Sequence, residues 1–173
     1  MSSSAPASPL TRAATYNVPS RNFNLVISKG SVAEWSHNYN QLSAIVNAAN
    51  EGCVGGGGAD GAISNAGGDA LRRDRWNLPE LQPNVRCRTG NAVLTGPNSY
   101  GSLNVPYVIH AVGPQYDLYR TEKEMDQGDK LLTSAYTASL EIGKSQNIEA
   151  IAFALLSSGT FRGKRSLEEV LKV

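Results

Sequence analysis

Apolar and polar positions along this chain follow two rhythms, a short one that fits strands and a longer one that fits helices. FNLVIS (residues 23–28) reads as a strand, and SAIVNAA (43–49), apolar at most positions, as a strand buried on both faces. GNAVLT (90–95) and YVIHAVG (107–113) read as further strands, and IEAIAFALL (148–156) as the last strong one. A helix is expected from Asp60 to about Arg73. A second lies between Met125 and Lys144, where Leu131, Leu132, Ala135, Tyr136, Ser139 and Leu140 trace one face. Strands alternating with helices imply an α/β sandwich around a largely parallel sheet. Residues 1–20 are rich in Ser, Ala and Pro and lack any period, so they read as a disordered tail before one domain spanning 21–173.

In sheets of this kind ligands bind outside the carboxyl ends of the strands. Two loops there are rich in glycine and small polar residues: residues 47–60 and residues 157–164. The first holds Gly55, Gly56, Gly57 and Gly58 just before a helix. Bare backbone N–H groups beside a helix N-terminus form an anion-binding surface, so a phosphate is the expected occupant. Two better-known nucleotide motifs do not apply. Gly-x-x-x-x-Gly-Lys-[Ser/Thr] is absent. Gly56, Gly58 and Gly61 satisfy Gly-x-Gly-x-x-Gly, but RRDRWNLPELQPNVRC follows where a second strand ending in an acid is needed.

Composition narrows the partners. With 173 residues, 16 Lys and Arg against 15 acids, the net charge is +1, and no basic stripe points to nucleic acid or a membrane surface. No apolar run approaches the ~20 residues of a membrane-spanning helix. Cys53 and Cys87 lie far apart, and with His37 and His110 as the sole histidines no metal site is expected. Cys53 reads as a small loop-filling residue, although a thiol in a glycine loop is open to reaction. The composition suits a cytoplasmic or nuclear protein, and the acid-free N-terminus leaves organelle import open.

Four residues carry candidate chemistry. Asp60 either caps the helix that follows or orients a water, since an acid at an anion site opposes plain binding. Asn47 and Asn50 either close a turn or offer a side-chain amide to a sugar hydroxyl. Phe161, after Ser157, Ser158, Gly159 and Thr160, is either partly buried or a platform for a ribose or base.

Taken together, AIVNAANEGCVGGGGADGAI, VRCRTGNAVLT, PYVIHAVGP and IAFALLSSGTFRG resemble, in order, four blocks of the macrodomain family, and within it the MacroD-type hydrolase branch. The resemblance implies a three-layer α/β/α domain with a mixed, largely parallel central sheet that binds ADP-ribose without a metal or cofactor. The diphosphate would lie between Gly55–Gly58 and Ser157–Phe161, with Asn50 and Phe161 at the distal ribose and Val32 and Asn47 also at the ligand. Asn50 and Asp60 would be the catalytic pair, with Asp60 positioning a water for hydrolysis. The substrates implied are proteins mono-ADP-ribosylated on acidic side chains, O-acetyl-ADP-ribose and ADP-ribose 1''-phosphate. A non-catalytic ADP-ribose reader is the alternative. On this reading Asp60→Ala abolishes most turnover and leaves ADP-ribose affinity largely intact.

The sequence departs from the family in three places. Ser31 stands where an acid usually binds the adenine amino group, which replaces a charge-assisted bond with a weaker one. Ser64 stands where many members have a histidine. SLEEVLKV begins a helix with Ser166 as N-cap and Glu169 as its capping-box partner, but the family's further strand does not follow before Val173.

Overall fold

The computed structural model describes residues 10–18, 23–37 and 42–173. Six strands and three helices follow in the order β1 (Thr11–Val18), β2 (Phe23–Lys29), β3 (Ser43–Ala48), α1 (Gly58–Trp76), β4 (Ala92–Thr95), β5 (Tyr107–Ala111), α2 (Glu122–Ser145), β6 (Ala150–Phe153) and α3 (Leu167–Leu171). The central sheet has the order β4-β5-β3-β6. β3 runs parallel to β5 and to β6, while β4 is antiparallel to β5, so the sheet is mixed and largely parallel.

β3 accounts for the layers. Neighbours on both sides satisfy its backbone, and its alternating side chains feed two separate cores. Ala44 and Val46 join Ile109, Ala111 and the α2 residues Leu132 and Ala135. Ile45 joins Val108 and the α1 residues Ile63 and Leu71 on the opposite face. The same alternation sends Asn47, on β3, and His110, on β5, to the α1 side, where both are fully buried.

The helices depart from the sequence reading in instructive ways. α2 buries Gly128, Leu132, Ala135, Ser139 and Gly143, whereas Leu140 is 54% exposed. The buried face is therefore narrower and richer in small residues than the Leu-based stripe suggested. A Cβ on Gly143 would come within 2.4 Å of Ile151, so the helix lies against β6 through backbone. Thr121 and Glu124 close a capping box at the start of α2, and Ser166 and Glu169 close the expected one at α3.

α1 is longer than the Asp60–Arg73 expectation and is not straight. Gly68 sits at φ 60°, ψ −152° in its interior, so two helical halves meet at a sharp bend. A straight helix would hold residues 60 and 75 about 22 Å apart. The bend brings their side chains into contact.

A further correction concerns the N-terminus. Residues 11–18, assigned to a disordered tail, form β1, which pairs antiparallel with β2. The register sets Ala14, Tyr16 and Val18 against Ile27, Leu25 and Phe23, giving a two-stranded ribbon with one apolar face. Residues 1–9, 19 and 20 of that tail lie outside the described residues.

Gly68→Ala tests the bend. No atom lies within 4 Å of the added Cβ, so any cost is backbone strain alone. Urea denaturation is expected to show a loss of about 1–3 kcal/mol. An unchanged midpoint would mean that α1 does not need glycine there.

Candidate functional site

The loops after β3, β5 and β6 leave the same end of the sheet, because these three strands are parallel neighbours. The loop after β3 is anchored at its base by Asn50. Its Nδ2 donates to the Gly55 carbonyl at 2.8 Å, and its Oδ1 accepts from the Cys53 N–H at 3.2 Å. Asn50 thus serves as a turn residue and keeps one N–H and one lone pair in reserve. Beyond it, Cβ atoms added to Gly55, Gly57 or Gly58 would meet nothing within 4 Å, so this stretch of backbone is open to a ligand. Gly56 differs. A Cβ there would lie 2.8 Å from Asp60 Oδ2, which sets the carboxylate directly beneath the loop.

Asp60 is not the helix cap, since Gly57 occupies that position. It lies in the first turn, turned inward and 2% exposed. Its oxygens receive four donors. Arg75 reaches Oδ1 at 2.7 Å and Oδ2 at 3.1 Å, a bidentate ion pair. Asn47 Nδ2 donates to Oδ1 at 2.9 Å and Ser64 Oγ at 3.3 Å. Arg75 also donates to Ser64 Oγ at 2.7 Å, and its Nε donates to the Cys53 carbonyl. The guanidinium, itself 1% exposed, thereby joins the second half of α1 to the acid and to the glycine loop.

Behind the pair the network fixes a histidine tautomer. Asn47 Nδ2 faces His110 Nδ1 at 3.1 Å while also donating to Asp60, so Nδ1 must accept. Nε2–H then donates to Thr95 Oγ1 at 3.0 Å, and that hydroxyl donates in turn to the Val108 carbonyl at 3.3 Å. Burial, reinforced by the Arg75 charge, holds the imidazole well below the usual histidine range and therefore neutral.

The second loop is tied down internally. Ser157 is buried and donates to the Pro114 carbonyl at 2.7 Å, and Ser158 donates to the Leu155 carbonyl at 2.8 Å. Gly159 is exposed, and a 3-10 turn over Thr160–Arg162 leaves Phe161 half-buried at the rim. Val32 starts another short 3-10 turn, Val32–Glu34, capped by Ser31 Oγ accepting from the Ala33 N–H, and packs beside the α1 core.

Of the residues singled out from sequence, Asn50 and Gly55–Gly58 surround one open loop with Asp60 beneath it. Asn47 is fully buried; its Nδ2 donates to Asp60 and His110, and its Oδ1 has no partner among the described residues. The Ser157 and Ser158 hydroxyls are likewise committed to backbone, leaving main chain as what that loop presents. Arg75 was missed. Its signal was a cation at the i+4 position from Leu71, on the same buried stripe as Gly67.

Two measurements check this network. Asp60→Ala strands a buried guanidinium and is expected to lose about 3–5 kcal/mol of stability, whereas adding Arg75→Met should restore at least half. Equal losses in the single and double variants would deny that the two act as a pair. For His110, folded and unfolded chains are both neutral above the ordinary histidine pKa of about 6.5. Below it the unfolded chain takes up a proton that the folded one refuses, so stability falls by about 1.4 kcal/mol per pH unit. Urea midpoints compared for wild type and His110→Gln between neutral and mildly acidic pH should show this extra slope in wild type alone.

The geometry agrees with what comparison finds. A solved Oceanobacillus iheyensis macrodomain with ADP superposes with a TM-score of 0.74 at 27% identity, covering 94% of this chain and 77% of that one. A macro domain-containing protein of Caldanaerobacter subterraneus, TTE0995, is 43% identical over 121 residues, which is 70% of this chain and 63% of the relative. The O-acetyl-ADP-ribose deacetylase 1 of Pantoea vagans is 37% identical over 118 residues, 68% of this chain and 63% of that protein. The chain thus spans just under two thirds of the length of these curated relatives. With the family model for the Macro domain matching residues 46–172, the chain belongs to the macro domain family.

Proposed function

We propose that this chain binds ADP-ribose across the glycine loop and hydrolyses the bond at its distal ribose. The substrates are proteins mono-ADP-ribosylated on acidic side chains and related esters such as O-acetyl-ADP-ribose or ADP-ribose 1''-phosphate. The observation that carries this reading is the Asp60 carboxylate fixed beneath Gly56, at the foot of an open loop. A similar protein bears the name O-acetyl-ADP-ribose deacetylase, and a similar structure was solved with ADP, which supports the substrate class.

The contacts of Asp60 restrict how it acts. Oδ1 is crowded by Asn47, Ser64 and Arg75, while Oδ2 has one protein donor and faces the loop. A carboxylate gripped by a guanidinium is a well-oriented hydrogen-bond acceptor. Asp60 accordingly orients the attacking water through Oδ2, and the proton goes to a phosphate of the substrate. Asn50 meets the distal ribose with its spare amide proton and lone pair. Attack at the ester releases ADP-ribose and the free carboxylic acid.

A second reading has its own observation. Arg75 neutralises Asp60, so the acid no longer opposes a bound diphosphate, and the same site serves a reader that binds ADP-ribose without turnover.

Release of ADP-ribose from a glutamate-linked mono-ADP-ribosylated protein separates the two. Asp60→Asn keeps the side-chain volume and an oxygen for Arg75, and it should slow release at least about a hundredfold in protein shown by denaturation to be folded. Equal release by wild type and that variant would remove Asp60 from the chemistry. Binding with no release by wild type would establish the reader. Phe161→Ala is expected to weaken ADP-ribose about two- to tenfold by calorimetry, the loss of an aromatic contact of about 0.5–1.5 kcal/mol. Unchanged affinity would place that ring outside the site.

A further inference from the structure

The chain's two cysteines, 34 positions apart by number, meet in the fold. Cys53 follows β3 and Cys87 precedes β4, and they share a small buried cluster with Ala49 and Val112. Each thiol also donates to a backbone carbonyl, Cys53 Sγ to Asn50 at 3.4 Å and Cys87 Sγ to Arg88 at 3.7 Å. Both are free and buried. Among the described residues, no group of three His, Cys, Asp or Glu is placed to hold a metal ion.

Neither thiol enters the reaction proposed above, yet Cys53 is built into its scaffold. Its N–H is held by the Asn50 carbonyl at 3.0 Å and by Asn50 Oδ1, and its carbonyl receives Arg75 Nε. It also occupies a left-handed conformation, φ 56°, that a non-glycine residue adopts at a cost. Cys87 is fixed to the same segment by its N–H, which donates to the Glu51 carbonyl at 3.1 Å. A covalent bond between the two sulfurs would therefore tie the base of the glycine loop to the strand that follows α1.

We propose that Cys53 and Cys87 form a modification site, a disulfide closed reversibly by a hydroperoxide, which rigidifies the glycine loop. This inference does not rest on the hydrolase reading. The two thiols are unequal partners. The neighbouring Cys87, with the Arg75 and Arg86 charges, outweighs burial and lowers the Cys53 thiol, whereas the neighbouring Cys53 and burial raise Cys87. Cys53 thus supplies the attacking sulfur. Its sulfur takes the near oxygen of the hydroperoxide as the O–O bond breaks, and the leaving oxygen picks up a proton to depart as water or an alcohol. The resulting sulfenic acid is attacked by the Cys87 sulfur. The S–S bond forms, the S–O bond breaks, and the Cys87 proton leaves with the hydroxide as water. Two thiols are oxidised by two electrons and one peroxide bond is reduced. A dithiol reverses the step by exchange.

The test treats the reduced, folded chain with hydrogen peroxide and reads intact mass, unreduced peptide maps and amide hydrogen exchange. The expected product has lost two hydrogens, carries one Cys53–Cys87 cross-link, and returns to the starting mass with dithiothreitol. Amides of residues 50–58 should exchange more slowly in the oxidised form. Cys87→Ser should stop at oxygen adducts on Cys53, while Cys53→Ser should leave Cys87 reduced under the same conditions. Oxygen adducts without a cross-link in wild type would overturn the proposal, as would thiols that stay reduced until the chain is unfolded. Unchanged exchange at residues 50–58 in the cross-linked form would overturn its effect on the loop.

Discussion

The buried ion pair between Asp60 and Arg75 is the constraint on which this site depends. Removing two charges from water is costly, and their attraction offsets that only with good geometry and with other donors and acceptors satisfied. At the pair itself both conditions are met, while Asn47 Oδ1 beside it is buried without a partner among the described residues. The guanidinium grips both carboxylate oxygens, Asn47 and Ser64 supply further donors, and Cys53 accepts the remaining Nε proton. Each contact constrains a different element. Arg75 requires the bend at Gly68, Asn47 requires β3 to bury a polar residue at its end, and His110 must stay neutral to accept from Asn47.

That dependence explains which features the sequence made legible. Period and composition located β3, β5, β6 and α2, because each is set by local alternation against a core. The two loops followed from strand polarity, and Asp60 from its place after four glycines. The bend and the ion pair were not visible, since they arise from a contact between residues 15 positions apart on what reads as one helix. Gly67 and Gly68 marked the break, and Arg75 on the stripe with Leu71 marked a buried charge. Either signal alone fits a simple amphipathic helix. β1 was missed because its alternation of Ala14, Tyr16 and Val18 is attached to a Ser- and Pro-rich segment whose composition dominates a coarse reading.

The two ligand loops use glycine and small residues for different ends. In the loop after β3 they leave backbone uncovered, and the one crowded glycine, Gly56, makes room for the carboxylate below. The loop after β6 uses them to fold against its neighbours. Gly113, in the loop after β5, leaves room for Ser157 Oγ, which a Cβ there would strike, and Gly163 lies against Asp117 in the same way. Arg165 then pairs with Asp129 and stacks on Tyr116, closing the far side. An open loop facing a pre-set one lowers the ordering cost of gripping a ligand between them, since one of the two surfaces is already fixed.

Compensation by Arg75 also changes what the acid signifies. An unpaired carboxylate under a phosphate-binding loop would have to be explained by chemistry, because it would repel the ligand. A paired one removes most of that repulsion and leaves position as the argument for catalysis. Arg75, Asn47 and Ser64 converge on Oδ1, and the edge toward Gly56 is left with a single donor. Were the pair purely structural, nothing would require the helix to start so close to the loop that Gly56 must forgo a side chain. The tightness at Gly56, which turns a carboxylate edge toward the open loop, is therefore the observation that favours the proposed role of Asp60 in hydrolysis.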